Sequence, residues 1–148
     1  MRRFYAVPLF AAVAMLALAA TPPQLPVLGQ PLPAAAQALT GSRQLLQSNA
    51  AVHQYLTPRG VTLRAYTAAN GTVFGLAWQG ITSPDLASLL GTRYAAYHAA
   101  LAAHPHRGPI SIEAGDLVVQ LGGHMRDLRG RAYLIHAIPA QLSAQVVR

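Results

Sequence analysis

Residue types that could do acid–base or metal chemistry are sparse in this chain. It has four carboxylates, six histidines and no cysteine among 148 residues. The densest group is the segment 122–127, where His124, Arg126 and Asp127 bring three kinds of ionisable side chain together behind two glycines. Glycine permits unusual backbone angles and the close approach of another backbone. We therefore identify this segment as the best candidate for a ligand- or partner-binding loop.

A hydrolytic site is the alternative interpretation of the same residues. In that interpretation His124 would act with Asp127 or Asp116. General acid–base catalysis would require these groups to lie within hydrogen-bond reach of the reacting atoms. A serine hydrolase would also need Ser111 or another serine set against His124, and the chain has no nucleophile-elbow sequence. We therefore assign no catalytic residue and keep a small periplasmic hydrolase as the second hypothesis.

The sequence His104-Pro105-His106 places two imidazoles near the end of a predicted helix. Two histidines without an adjacent carboxylate do not form a metal site, which needs further ligands and their hydrogen-bond partners. Charged histidines at a helix C-terminus are also favoured by the helix dipole. The sequence therefore predicts no bound metal, and no motif in it indicates a cofactor.

A hairpin organises the predicted fold. Residues 61–68 and 72–79 are strand-like and flank Asn70-Gly71, the dipeptide typical of a two-residue type I′ turn. In that register, apolar and small side chains share one face, which belongs on the core. Its cross-strand pairs are Leu63 with Trp78, Ala65 with Leu76, and Thr67 with Phe74.

The opposite face of the hairpin supplies a second candidate surface. There Arg64 lies opposite Ala77 and Tyr66 opposite Gly75. An aromatic ring that lies across a strand glycine compensates for the missing side chain. If nothing covers this face, Arg64, Tyr66 and Val73 form a small exposed patch that a partner could bind.

A single long helix is predicted after the hairpin. Ser83 supplies the N-cap oxygen, Pro84 suits the first helical position, and the helix ends near Ala103, before His104-Pro105. One arc of the helix is apolar and should pack on the hairpin, although it includes Arg93. The arc consists of Leu86, Leu89, Leu90, Tyr94, Tyr97 and Leu101.

These elements predict an α+β fold of the order βββαββ. Further strands are expected at 52–56, 116–121 and 131–138, with an earlier piece possible at 110–112 and a break at Gly122-Gly123. One antiparallel sheet of four to five strands would then pack on the single long helix.

The amino end has the layout of a signal peptide. A basic start, Met1-Arg2-Arg3, precedes an apolar run over residues 4–20. Small-x-small sites allow cleavage after Ala19 or after Ala38, and we favour the second. The expected organisation is therefore a signal peptide and Pro/Ala-rich leader over residues 1–38 and a single domain over 39–148. The product is expected in the periplasm of a Gram-negative-type envelope or outside the cell, with membrane contact only through an uncleaved leader.

The charge pattern narrows the class of partner. Without Arg2 and Arg3, nine arginines face four carboxylates, a formal charge of +5. A basic surface attracts anionic envelope components, and an envelope protein is an equally open partner. The arginines are scattered and not interleaved with aromatic residues, so nucleic-acid binding is not predicted.

With these residues in view, the chain resembles the domain of unknown function family DUF2844, which comprises exported bacterial proteins. The resemblance rests on several segments in the right order, from about residue 40 to residue 147. They are the strand Val73-Phe74-Gly75-Leu76-Ala77-Trp78-Gln79-Gly80, the helix start Pro84-Asp85-Leu86 with Leu89-Leu90-Gly91, and the later stretches Asp116-Leu117-Val118-Val119, Gly122-Gly123-His124-Met125 and Gly130-Arg131-Ala132-Tyr133. The resemblance implies export and a shared fold but no activity. The chain departs from the family pattern at Ala65, where a glutamate is common, and at Ile81, where a proline is common. We therefore expect an exported, non-enzymatic envelope binding or structural module.

Overall fold

The computed structural model of the protein describes residues 24–38, 41–104 and 108–148, and the signal-peptide segment lies outside them. The described residues form one antiparallel sheet of seven strands in the spatial order β1-β2-β3-β4-β7-β6-β5. The strands are β1 (Ser42–Leu45), β2 (Ala51–Leu56), β3 (Thr62–Thr67), β4 (Val73–Gly80), β5 (Ile110–Ala114), β6 (Leu117–His124) and β7 (Asp127–Leu134). The helices are α1 (Ala34–Ala38), α2 (Leu86–Leu90) and α3 (Tyr94–Ala102), with 3-10 turns at Gln47–Asn49, Gly91–Arg93, Ile135–Ala137 and Ala144–Val146.

The α+β class and the single antiparallel sheet are confirmed, but the predicted number and order of strands are wrong. The order along the chain is ββββαβββ after α1, because both edge strands form in full. All four residues of β1 are exposed, so the strand has no buried side to produce an alternating pattern. In β5 only Ile112 is buried. Edge strands with so little burial give a weak sequence signal.

The central hairpin has the predicted register over most of its length. Leu63 pairs with Trp78, Ala65 with Leu76, and Tyr66 with Gly75, as predicted. The turn, however, has three residues, since Gly71 N–H bonds to Ala68 O and Ala68 N–H bonds to Thr72 O. Gly71 has the positive φ of +81° that such a turn requires at its last position.

Phe74 is the extra residue of a bulge that compensates for this longer turn. Thr67 pairs with Val73 and Tyr66 with Gly75, so Phe74 has no partner on β3 and the predicted pairing of Thr67 with Phe74 is wrong. A bulge changes the side of the sheet on which the following residue lies. Phe74 is fully buried, but on the face opposite to Leu76 and Trp78.

The helical segment after the hairpin has 17 residues and is interrupted in its middle. Helices α2 and α3 are joined by the 3-10 turn at Gly91, whose φ is +56°. The predicted Ser83 N-cap is wrong: Asp85 is the N-cap, since its carboxylate accepts the N–H of Ala87 at 3.1 Å and the hydroxyl of Ser88 at 2.5 Å. The predicted apolar arc does pack on the sheet; Leu89, Leu90 and Tyr97 are buried.

Both faces of the sheet are covered. The helices and residues 25–36 cover the first, which we call the helix face, with Leu63, Leu76 and Trp78 in its core. Residues 135–148, which we call the tail, cover part of the second, which we call the tail face. Phe74, Tyr66 and Val147 form the core between the tail and the sheet. The structure therefore has three layers, and the predicted arrangement of one sheet on one helix omitted the layer formed by the tail.

Residues 25–38, interpreted as leader from the sequence, are packed against the sheet. Leu28, Leu32 and Ala36 are buried in the helix-face core. Gly29 N–H bonds to Val73 O and Val73 N–H bonds to Gln30 O, both at distances below 3 Å. Arg93, from the apolar arc, turns towards this segment and donates to Leu28 O. Among the described residues, no helix is long and apolar enough to cross a membrane.

Candidate functional site

Tyr66 lies beneath the tail, so its predicted exposure is wrong. Its side chain is 3% exposed. The hydroxyl donates to the backbone oxygen of Arg148 at 2.6 Å and accepts the N–H of Arg148 at 3.1 Å. Tyr66 therefore attaches the tail to the sheet. Val73, the third residue of the predicted patch, is fully buried in the helix-face core, so its predicted exposure is also wrong.

Two arginines on neighbouring parts of the tail face also hold the tail. Arg64 donates through Nη1 to the oxygen of Arg148 at 2.8 Å and through Nε to Gln54. Arg131 donates through Nη1 to Val147 O at 3.1 Å and through Nε to the Gln120 amide oxygen at 2.6 Å. A guanidinium carries five N–H donors in a fixed plane. Nη2 of both side chains has no hydrogen-bond partner among the described residues.

A groove begins where the tail ends, and we call it the arginine groove. It has a volume of about 520 Å³. Two rows of side chains lie across its floor, as the strand register shows. The row nearer the tail is Arg64, Ala77, Arg131 and Gln120, and the outer row is Thr62, Gln79, Arg129 and Gly122. Arg148, whose side chain has no hydrogen-bond partner in the described part of the chain, adds a fourth arginine to the lining.

Arginine side chains dominate the charged groups that line the groove. Asp127 is the side-chain carboxylate that contacts this lining, and Arg129 binds it through Nε and Nη2, with a shortest distance of 2.7 Å. Gln79 donates a further hydrogen bond of 2.8 Å to Asp127. The Arg129 hydrogen bonds, followed by the Gln79 hydrogen bond, hold the pKa of Asp127 below its usual value. Asp127 therefore stays ionised and orients Arg129 and Gln79 along one wall.

The segment 122–127 is a tight hairpin tip, with no enclosed loop. Gly122 and Gly123 pair with Arg129 and Leu128, so β6 continues through the predicted break. Met125-Arg126 form the turn, and Arg126 has a φ of +72°, which is uncommon for a residue with a side chain. His124 is 81% exposed and its Nε2 lies 4.0 Å from Asp127 Oδ2. Of the three predicted residues, only Asp127 contacts groove residues.

The residues of the alternative hydrolytic site do not converge. Asp116 precedes β6 and His124 ends it, so about eight residues of extended strand, roughly 26 Å, separate them. Ser111 lies opposite Gln120, about 13 Å along the strand from His124. The carboxylate closest to His124 is Asp127, whose oxygens are already bound to Arg129 and Gln79.

Of the two histidines in His104-Pro105-His106, only His104 belongs to the described residues; Pro105 and His106 lie outside them. Within the ranges 24–38, 41–104 and 108–148, no three histidine or carboxylate side chains are grouped so that they could hold a metal ion. No cofactor-binding motif is present in the sequence either.

Sequence reasoning missed most of the arginine groove. Arg129 and Arg131 alternate with Gly130, and residues two apart on a strand share a face. That spacing would have placed both cations together if the strand had been predicted from Asp127 instead of 131. Arg148 carried no comparable signal, because it reaches the groove through a tail without regular periodicity.

Comparisons with known proteins give one match. The model of a family described as a protein of unknown function, DUF2844, matches residues 25–147. The resemblance found in the sequence is therefore confirmed, and the match begins earlier than the residues that suggested it. It also includes the segment 25–38 that packs on the helix face. Neither the curated proteins nor the solved structures contain a match.

Proposed function

Because this chain belongs to the DUF2844 family of proteins of unknown function, we propose its function from its geometry. It is an exported, non-catalytic binding module of the cell envelope. The arginine groove takes an anionic group of an envelope component, a phosphate or a carboxylate. The observation that carries this proposal is the convergence of four arginines beside the amide side chains of Gln79 and Gln120, with Asp127 as the nearby side-chain carboxylate that Arg129 already binds.

The groove suits an anion because its cations are already oriented. The tail and Gln120 fix the planes of Arg64 and Arg131, and Asp127 fixes that of Arg129. Arginine binds carboxylates and phosphates through two parallel N–H donors, and a pre-oriented side chain loses less entropy on binding. The groove volume of about 520 Å³ lies in the range of small-ligand sites. An anionic headgroup or an acidic sugar residue fits this description.

A binding role is favoured over hydrolysis by the placement of the ionisable groups. His124 is at the exposed hairpin tip, while Asp116 is at the other end of β6. General acid–base catalysis needs a proton acceptor close to the reacting atoms. The polar side chains that line the groove are its arginines, the amides of Gln79 and Gln120 and the hydroxyl of Thr62, and Asp127 beside them is ion-paired. Arginine does not lose its proton under ordinary conditions.

Export is proposed from the leader sequence, and the packing of residues 25–38 bears on where the leader is cut. Cleavage after Ala38 would remove Leu28, Leu32 and Ala36 from the core. Cleavage after Ala19 would leave them in place. We therefore propose cleavage after Ala19, in place of the site after Ala38 that the sequence alone favours.

Titration calorimetry of the protein with inorganic phosphate and with glucuronate tests the groove. We expect binding that is lost by about tenfold or more in the double variant Arg129→Gln, Arg148→Gln, because each removes a charge-assisted hydrogen bond. The matched control is Arg43→Gln, an exposed arginine on β1 outside the groove. Unchanged binding in the double variant, or no binding of either anion to the wild-type protein, would contradict the proposal.

A further inference from the structure

Three of the most exposed large apolar side chains lie at one end of the sheet. Leu56 is 75% exposed, Ile81 63% and Met125 88%. Leu56 ends β2, Ile81 follows β4, and Met125 forms the tip between β6 and β7. The register places these three positions at the same end, because Leu56 pairs with Thr62, Thr62 with Gln79, and Gly80 with Leu128. Counted across the sheet, they extend over roughly 15–20 Å.

Exposed arginines lie at the same end. Arg59 is in the connection after Leu56, Arg126 follows Met125 at the tip, and Arg129 is near the start of β7. The carboxylates at this end are Asp85 and Asp127, and Arg129 is paired with Asp127. Arg64 and Arg131 lie opposite Ala77 in the middle of the sheet, and the opposite end has Arg93 with Glu113 and Asp116.

We infer that this end of the molecule docks on the surface of an anionic lipid membrane. Leu56, Ile81 and Met125 insert among the headgroups, and Arg59 and Arg126 pair with headgroup phosphates. Peripheral proteins bind anionic bilayers through such a combination of inserted apolar side chains and basic residues. The apolar residues stand on three separate connections, each beside charged or polar neighbours. A fluid interface accepts them singly, whereas a stable protein interface typically buries about 800 Å² per partner around a desolvated core.

Docking of this kind also places the arginine groove close to the membrane surface. The outer row of the groove, with Gln79 and Arg129, is one or two residues from Ile81 and Asp127 at the docking end. The groove mouth then opens near the headgroup layer. The inference itself does not depend on the groove, since the residues that carry it are in the loops. It goes beyond the proposed function by identifying the surface that the protein binds.

Vesicle co-sedimentation tests the inference. The mature protein is mixed with vesicles of phosphatidylglycerol and phosphatidylcholine and, separately, with phosphatidylcholine alone. We expect binding only to the anionic vesicles, weakened by salt because screening reduces the arginine contribution. The triple variant Leu56→Ser, Ile81→Ser, Met125→Ser should lose at least about tenfold in partitioning, since it removes three inserted side chains.

Exposed apolar residues at the opposite end provide a matched control. Leu45 is 69% exposed and Ile135 47%, and both lie at the end where β1 meets β2 and β7 finishes. The double variant Leu45→Ser, Ile135→Ser should bind vesicles like the wild-type protein. No binding to anionic vesicles at low salt, or equal losses in the two variants, would overturn the inference.

The groove variant Arg129→Gln, Arg148→Gln separates the two proposals. If it loses phosphate binding but keeps vesicle binding, docking stands without the groove. Loss of vesicle binding in the loop variant with phosphate binding retained shows that the two surfaces act independently.

Discussion

The hydroxyl of Tyr66 holds Arg148 by two hydrogen bonds, one donated to its backbone oxygen at 2.6 Å and one accepted from its N–H at 3.1 Å. The two residues are 82 positions apart in sequence. The Tyr66 ring also packs on Phe74, with ring centroids 6.2 Å apart. One side chain thus joins the hairpin, the bulge and the tail.

Tyr66→Phe should loosen the tail and leave the sheet intact. The variant keeps the ring against Phe74 but removes both hydrogen bonds, which we expect to lower the free energy of unfolding by about 1–2 kcal/mol. Urea denaturation measures the loss, and hydrogen exchange should show faster exchange in residues 144–148. The control is Tyr94→Phe, because the Tyr94 hydroxyl has no hydrogen bond among the described residues. Equal effects of the two substitutions would contradict the role of Tyr66.

Gly75 and Val147 should show strong energetic coupling. A Cβ added at Gly75 would lie 2.6 Å from Val147 Cγ2, so Gly75→Ala must push the tail away. Overpacking of this kind costs about 1–3 kcal/mol. In a Val147→Ala background the nearest remaining atom of that side chain, Cβ, is 3.5 Å away, an ordinary contact.

A double-mutant cycle measures this coupling. We expect Gly75→Ala to cost less than about 1 kcal/mol once Val147 is alanine, so that the double variant is more stable than the sum of the single changes predicts. Additive losses would mean that the tail does not rest on Gly75.

The sequence predicts this fold well where one periodic pattern dominates. The pairs of Leu63 with Trp78 and of Ala65 with Leu76 follow from alternation and a turn, and both are present. The predicted turn was one residue too short, and the bulge at Phe74 compensated for the difference. The longer turn and the bulge offset each other, so the pairing of residues 62–66 with β4 is the same as without them. The hydrophobic pattern therefore gives no sign of either feature.

The candidate site was less predictable because it depends on contacts between distant segments. Arg64 was identified, but its main partner is Arg148, which is reached through a tail without helical or strand periodicity. The tail also covers Tyr66, which an isolated hairpin would expose. His124 and Arg126 were chosen because charged types cluster in sequence, yet both point outwards from a tight turn. Composition locates charge along the chain, whereas tertiary packing decides which charges meet.

Residues 25–38 should be required for folding. We expect a chain that begins at Ala20 to unfold cooperatively, and one that begins at Leu39 to be strongly destabilised, because Leu89 and Leu90 lose the cover of Leu28 and Leu32. Thermal denaturation followed by circular dichroism compares the two. Mass spectrometry of the exported protein should also find a mature amino terminus before Leu25.

Substitutions in this segment separate a packing role from a linker role. Leu28→Ala should lower the free energy of unfolding by about 2–5 kcal/mol, as expected for a fully buried leucine. Leu25→Ala is the control, since Leu25 is 37% exposed and should matter little. A stable protein starting at Leu39, or a negligible effect of Leu28→Ala, would show that the segment is dispensable.

His53 should make stability depend on pH between about 5 and 7. Its ring is 7% exposed on β2, Nε2 lies 3.3 Å from Thr67 Oγ1, and Nδ1 has no hydrogen-bond partner among the described residues. Burial, followed by the nearby charge of Arg43, lowers the pKa of His53 in the folded protein. The unfolded chain therefore binds the proton more readily, and stability is full above about pH 6.5 and falls as the pH drops below that value.

Urea denaturation between pH 5 and pH 8 tests the role of His53. We expect the midpoint to be constant above pH 7 and to fall towards pH 5 in the wild-type protein, and this fall to be reduced in His53→Gln. The exposed His98→Gln is the control and should keep the wild-type dependence. Asp85 and Asp127 have lowered pKa values, so the stability that they contribute is lost only at more acidic pH, below this window. A pH dependence that persists unchanged in His53→Gln would therefore assign the effect to a group other than the buried imidazole.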